Sequence, residues 1–388
     1  KSGKIYRSVD GADSEIGIPP GMGANSQANH GLEVRHGMEE TPAQPSDCRK
    51  AAKFQRLLSV PSVDLAALRS LMWSGAPEDD PTFRADAWQM LLGYLPPVVD
   101  RRTQGVARKR NEYEELKRRH LSLDEDGSIL ADTDDSGAGS GKDLLQIRKD
   151  VPRLRPESAL FRHPKVQQLM ERVLYIWSVR HPASGYVQGI DELVIPFIIV
   201  FLASELRTPL NNLDVDSVPP SVLSAVEAGA YWCLTRLLSD IQDHYTSGQP
   251  GIQQMLLRLA DIVRRVDEKL YNHLAQQEGP QVFITFSFQW MNCLLLRELP
   301  LPCGIRLWDA YVSEPAGSLG ALHVYVCAAF LMHWSSQLKE MDTLELLPFI
   351  RNLPTTNWTS REIESVLAEA FVLKSWFHSS PNHLAAPD

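Results

Sequence analysis

Neither a metal-ligand signature nor a nucleophile signature stands in this sequence. Its 388 residues include 11 histidines but no H-E-x-x-H, and no serine lies in a G-x-S-x-G frame, which excludes zinc-protease and α/β-hydrolase chemistry built on those patterns. The five cysteines (Cys48, Cys233, Cys293, Cys303, Cys327) form an odd, scattered set without a C-x-x-C pair. Four of them lie in apolar or amphipathic surroundings, the pattern of buried thiols in a reducing compartment and not of a disulfide frame or zinc site. Basic charge is short as well. A formal net charge of -9 lacks the basic face that releases counterions from phosphates, so no nucleic-acid partner is expected. No apolar run reaches the ~20 residues of a membrane-spanning helix. The longest, LVIPFIIVFLA at 193–203, has eleven residues and contains Pro196, and it is read as a buried core helix. The first residue is Lys1, so the natural N-terminus is expected to be missing and a targeting signal there would not be visible.

What is present is helical patterning. Residues 1–52 are rich in Gly, Pro, Ser and Asn with no sustained period, cannot offset the entropy of ordering, and are expected to be disordered. A second polar stretch, 122–143, is expected to be a flexible insertion. In PTFRADAWQMLLGYLPP, Asp80 can cap, Pro81 suits the first helical position, and Phe83, Ala87, Trp88, Leu91, Leu92 and Leu95 recur at helical spacing until Pro96. KVQQLMERVLYIWSVRHP repeats the pattern and ends at His181 and Pro182. IQQMLLRLADIVRRVDEKLYNHL reads as one run from Ile252 to Leu270. FSFQWMNCLLLREL, GIRLWDAYV, LHVYVCAAFLMHW and REIESVLAEAFVLKSWF add further helices. Sustained strand alternation is absent, and so is a repeat of about 34 to 45 residues, so the expected fold class is all-α and not a repeat array.

Several stretches carry candidate chemistry. DSGAGSGKD resembles a phosphate-binding loop, but Ser136 stands in the first glycine's place and Asp143 in that of the magnesium-binding hydroxyl, and no apolar strand precedes it. An aspartate there would repel phosphates, so the stretch is read as linker. The basic run at 101–120 is read as a solvated helix face, with an acidic partner or a membrane as the other option. His181 is read as a helix-end histidine satisfied locally. In SGYVQGIDEL, Gly185 and Gly189 permit a turn and a close backbone approach, leaving Gln188 either as an ordinary exposed glutamine or as an outward-facing functional amide. In QIRKDVPRLRP at 146–156, Pro152 and Pro156 bracket two arginines. Each proline is expected to press the residue before it, Val151 and Arg155, toward extended geometry, so that Arg153 projects from a stiff loop end.

Taken together, Ile147, Asp150 and Arg153 in I-x-x-D-x-x-R, the later Y-x-Q of Tyr186 and Gln188, and an upstream R-x-x-x-W of Arg84 and Trp88 resemble the three motifs of the TBC domain family of Rab GTPase-activating proteins. The similarity extends through HPASGYVQGIDELVIPF, RELPLPCGIRLWDAYVSEP, HVYVCAAFLMHW and NLPTTNW, nearest to the branch of the yeast Golgi Ypt/Rab activator and the vertebrate member-22 proteins. The resemblance implies a V-shaped, all-α TBC domain over 53–378, with an N-lobe at 53–225, a C-lobe at 226–378 and a tail at 379–388. It implies Arg153 as an arginine finger and Gln188 as a glutamine finger acting on a GTP-loaded Rab, whose active site the chain completes in trans without being an enzyme itself. Asp150 would support the loop, Tyr186 and Trp88 would pack, Arg84 would brace the groove, and Arg155, outside the motif frame, would be an ordinary surface residue. The chain would need no cofactor of its own, since GTP and Mg belong to the partner. A cytosolic location with peripheral recruitment to Golgi or other endomembranes follows from the same resemblance.

Two departures stand out. Where relatives usually show Q-G-x-N-D-L, this chain has Asp191 and Glu192, and Gln289 replaces a common arginine before Trp290. They keep open a noncatalytic Rab-binding scaffold as the alternative, beside a third option, a helical interaction module unrelated to GTPases.

Overall fold

The computed structural model describes residues 45–130, 140–210, 213–279 and 281–378. Seventeen α-helices build the described part: α1 (Pro45–Leu58), α2 (Leu65–Trp73), α3 (Pro81–Leu91), α4 (Arg102–His120), α5 (Ser140–Asp150), α6 (Ala159–Arg162), α7 (Pro164–Arg180), α8 (Ile190–Leu206) and α9 (Pro220–Asp240), followed by α10 (Pro250–Val266), α11 (Glu268–Glu278), α12 (Val282–Asn292), α13 (Leu301–Ser313), α14 (Leu319–Met332), α15 (Ser335–Leu338), α16 (Thr343–Arg351) and α17 (Ser360–Phe377). The only extended pairings among the described residues are two isolated bridges, Ser62 with Val98 and Leu123 with Ile129. The all-α class is therefore as expected.

Helix ends follow local chemistry. Asp80 caps α3 by accepting from Thr82 N at 2.9 Å, with Pro81 in the first turn, as the sequence indicated. The helix stops at Leu91, earlier than the expected Pro96, because Gly93 takes φ 74° and turns the chain away. The run from Ile252 to Leu270 is two helices. Asp267 interrupts it, accepting from Leu270 N at 2.9 Å to cap α11 and from Lys339 Nζ at 2.8 Å. His181 ends α7 and stacks on Trp177, with ring centroids 4.5 Å apart. On α4, Arg108 and Glu112 (3.6 Å) and Arg118 and Glu115 (2.6 Å) pair along an exposed face, as its sign alternation suggested.

Three boundary expectations change. Residues 45–52 belong to α1 and are not part of a disordered segment. Of the expected insertion at 122–143, residues 131–139 lie outside the described residues. Its flanks are structured: Leu123 bridges to Ile129, which is buried, and 140–143 form the first turn of α5. The lobe boundary at 225/226 falls inside the continuous α9, and the described residues belong to one compact unit. Residues 1–44 and 379–388 lie outside the described residues.

At the centre is α8, in which every side chain from Ile190 to Ala203 is buried. From Leu193 to Ala203 its side chains are all apolar, so this stretch has no face to give to water, and α8 is enclosed by α3, α7 and α9. Among the described residues no helix is long and apolar enough to cross a membrane. Cys233, Cys293, Cys303 and Cys327 are buried free thiols, as expected, and Cys48 is exposed.

A buried carboxylate ties α3 to α13. Asp309, fully excluded from solvent, accepts from Arg84 Nε at 3.1 Å and Nη2 at 3.2 Å, from Trp88 Nε1 at 2.8 Å and from Ala76 N at 3.0 Å. Trp88 in turn meets Phe197 of α8 edge-on at 5.9 Å, and Phe197 meets Trp308 at 5.6 Å. Asp309→Ala leaves Arg84 charged and unpaired in the interior. It is expected to destabilise the fold by about 3–5 kcal/mol, read as a lowered urea midpoint.

Two buried histidines make stability depend on pH. His323 donates from Nε2 to Trp290 O (2.9 Å), which fixes the tautomer, and Nδ1 accepts from Tyr311 Oη at 2.6 Å. Burial pulls its pKa down to about 3, and that of His244 down to about 4. Both lie below the unfolded value of about 6.5, so the folded protein binds fewer protons in this window. Their contribution is complete above that value. It is expected to fall by about 1.4 kcal/mol per histidine for each pH unit below it, until about pH 3 for His323 and about pH 4 for His244. The check is a melting series between pH 7 and 4.

Candidate functional site

Arg153 ends a single 3-10 turn, Val151–Arg153, that follows α5 directly. The turn sinks Val151 and Leu154 into the core and leaves Pro152 and Arg153 at the surface. Among the described residues the Arg153 side chain makes no hydrogen bond or ion pair, so its fork of donors is available to a partner. The proline geometry differs from expectation. Val151 lies in the turn and is not extended, and Arg155 adopts φ 45°, in the left-handed region that side chains rarely enter.

Arg155 is also no surface residue. Its Nη2 donates to Leu296 O, its Nε lies 3.7 Å from Glu192 Oε2, and its side chain is only 14% exposed. This corrects the ordinary surface role assigned from the motif frame. An unusual backbone angle is maintained where surrounding contacts over-determine it, and those contacts supply that hold.

Gln188 occupies the loop between α7 and α8 and is likewise exposed, with no side-chain hydrogen bond among the described residues. Its backbone is fixed. Asn292 Nδ2 donates to Gln188 O at 2.9 Å, and Gly189 N donates to Asp191 Oδ1 at 2.8 Å. Gly189 has φ 108°, and a Cβ there would stand 2.1 Å from Asn292 Nδ2. Only glycine satisfies both the angle and the space.

Asp150 and Tyr186 join the two loops. Tyr186 Oη donates to Asp150 Oδ2 at 3.1 Å, and Gln146 Nε2 donates to both oxygens of Asp150 at 3.0 Å. Burial, then the Asp191 and Asp150 carboxylates, push the Tyr186 hydroxyl far above the usual phenol range, so it stays a donor. Tyr186 N donates to Asp143 Oδ2 at 2.9 Å, which pulls the start of α5 onto the same loop. Asp150 and Tyr186 thus hold the two loops to each other, and Tyr186, expected only to pack, also makes hydrogen bonds. Arg84 does not brace the site directly, because its side-chain bonds go to Asp309 in the core, and Trp88 packs there beside it.

The unusual residues have partners. Glu192, buried, lies between Arg155 and Arg297, whose Nε is 3.5 Å away. Burial raises its pKa against the pull of Arg155. Burial also raises the pKa of Asp191, opposed by the Gly189 amide. Gln289 Nε2 donates to Glu298 Oε1 at 2.8 Å. Asp309, Asn292 and Asp143 were missed by sequence reasoning. For Asp309 a signal existed, an acid inside the apolar run LWDAYV that needs a buried partner. For Asn292 and Asp143 none did, since their roles are contacts to backbone atoms far along the chain.

The family is shown by comparison with known proteins. The sequence profile of the Rab-GTPase-TBC domain (RabGAP-TBC) matches residues 81–339, and the chain belongs to that family. It is 46% identical over 333 residues to TBC1 domain family member 22A of Homo sapiens, covering 85% of this chain and 61% of that protein. To GTPase-activating protein gyp1 of Schizosaccharomyces pombe it is 43% identical, covering 86% and 62%. The crystal structure of the Ypt/Rab-GAP domain of Gyp1p superposes with a TM-score of 0.77 at 38% identity, covering 85% of this chain and 99% of that one. The chain spans 61–65% of the length of its member-22A relatives.

Gly189→Ala is expected to cost on the order of 1–3 kcal/mol from the backbone angle alone. It should also displace Gln188 by breaking the Asn292 bond, seen as loss of protection of the 187–192 amides in hydrogen exchange.

Proposed function

We propose that the chain is a GTPase-activating protein for a GTP-loaded Rab-family GTPase, acting through two fingers. Arg153 stabilises the charge that builds on the β–γ bridging and γ oxygens, and Gln188 orients the attacking water. The observation that carries this reading is that both side chains are exposed and unpartnered while their loops are braced by Asp150, Tyr186 and Asn292. Little entropy is then lost when the fingers enter a partner's nucleotide site. The name of the fission-yeast relative, a GTPase-activating protein, agrees.

An arginine supplied in trans gives on the order of 10³ to 10⁵ in rate, about 4–7 kcal/mol of barrier, because it acts in a site emptied of water. GTP and Mg²⁺ belong to the partner in this scheme, and the chain brings no cofactor. Its proposed setting is the cytosolic face of endomembranes, the Golgi among them, reached by peripheral recruitment. The noncatalytic scaffold has less support than the sequence alone gave it, because Asp191, Glu192 and Gln289 are engaged in local contacts and leave both fingers unpaired.

Single-turnover GTP hydrolysis across a panel of GTP-loaded Rabs tests the proposal. At least one member should be accelerated by the wild-type chain. Arg153→Ala and Arg153→Lys should each remove about 10³-fold or more, since an ammonium cannot reproduce the planar fork. No acceleration of any Rab would sink the activity, and full activity of the lysine variant would sink the finger role.

A further inference from the structure

One short segment touches both finger loops. Where α12 ends, Asn292–Arg297 makes a turn, buried through Leu296, in which Leu294 and Leu295 take φ 48° and 61°. Two consecutive leucines in the left-handed region are disfavoured and hold only where packing and hydrogen bonds dictate them. From this turn Asn292 Nδ2 reaches Gln188 O at 2.9 Å, Leu296 O receives Arg155 Nη2, and Arg297 Nε lies 3.5 Å from Glu192 in the first turn of α8. Glu192 also lies 3.7 Å from Arg155 Nε. The contacts thus run from the Arg153 loop to the turn, from the turn to the Gln188 loop, and back through Glu192.

We propose that the Asn292–Arg297 turn is a common platform that anchors the two finger loops separately, Arg155 positioning Arg153 and Asn292 positioning Gln188. This rests on the activity proposed above. Arg155 lies two positions after Arg153 and fixes the far end of that loop, whose near end is fixed by Val151 and Asp150. Asn292 holds the carbonyl of Gln188 itself. Neither side chain is presented to a partner: Arg155 is engaged with Leu296 and Glu192, and Asn292 is buried. Their effect passes through finger geometry, where a displacement of about 1 Å costs on the order of a hundredfold in rate.

The test uses the full chain and the Rab that the wild type accelerates most in the panel. Glycine accepts positive φ, so Arg155→Gly removes the guanidinium without penalising the backbone, and melting temperature verifies that it folds. Arg155→Gly and Asn292→Ala should each lower kcat on the order of tenfold to a hundredfold, with KM within about twofold of wild type. Epistasis separates positioning from general damage. Arg155→Gly should add less than about twofold to Arg153→Ala yet keep its full effect on Gln188→Ala, and Asn292→Ala should show the mirror pattern. Wild-type kcat in either folded variant overturns the platform, as do losses that multiply fully onto both finger substitutions. A wild type that accelerates no Rab overturns the activity and the platform with it.

Discussion

A carboxylate with no water to solvate it, Asp309, sets the terms for the helices around it. Burying a lone charge costs several kcal/mol, and here that cost is met by donors from Arg84, Trp88 and the Ala76 amide. The arrangement dictates more than one bond. Trp88, held by its bond to Asp309, meets Phe197 edge-on, and Phe197 in turn meets Trp308, so that α8 packs against both α3 and α13. Since α8 begins two residues beyond Gln188, the position of an exposed amide is referred back to a charge in the interior.

The loops beside α8 show the same economy of contacts. Asp150, Asp191 and Glu192 put three buried carboxylates in and beside the loops that carry Arg153 and Gln188, and none of them is left unpartnered among the described residues. Each is occupied: Asp150 by Gln146 and Tyr186, Asp191 by the Gly189 amide, Glu192 by Arg155 and Arg297. Because these acids are buried and turned inward, Arg153 meets solvent with its charge unpaired. The replacement of Asn-Asp by Asp-Glu after Q-G-x is thus read as a change in how the loop is braced.

Much of this was legible in the sequence, and for definite reasons. Helical periodicity and caps announce themselves locally, so α3, α7, α8 and α14 could be read from spacing, and the motif frame singled out Arg153 and Gln188. What could not be read depends on distant chain. The break at Asp267 looks like continued helix until Lys339 and Ser335 are brought to it. Arg155 looks like a surface residue until Leu296 and Glu192 close on it, and a residue before proline is expected to be extended unless such contacts override the preference. Arg84 matched a motif of the groove and lies in the core, since a pattern of residue types does not say which way a helix turns its faces.

The turn that holds the finger loops has a further consequence, in time and not in space. Asn292 follows its partner Gln188 by 104 residues, and Leu296 follows Arg155 by 141. At ribosomal speeds of about 5–20 residues per second, both loops are synthesised roughly 5 to 28 s before the segment that braces them. A nascent chain therefore carries Arg153 and Gln188 long before it carries the anchor of their loops, which comes only with its last third.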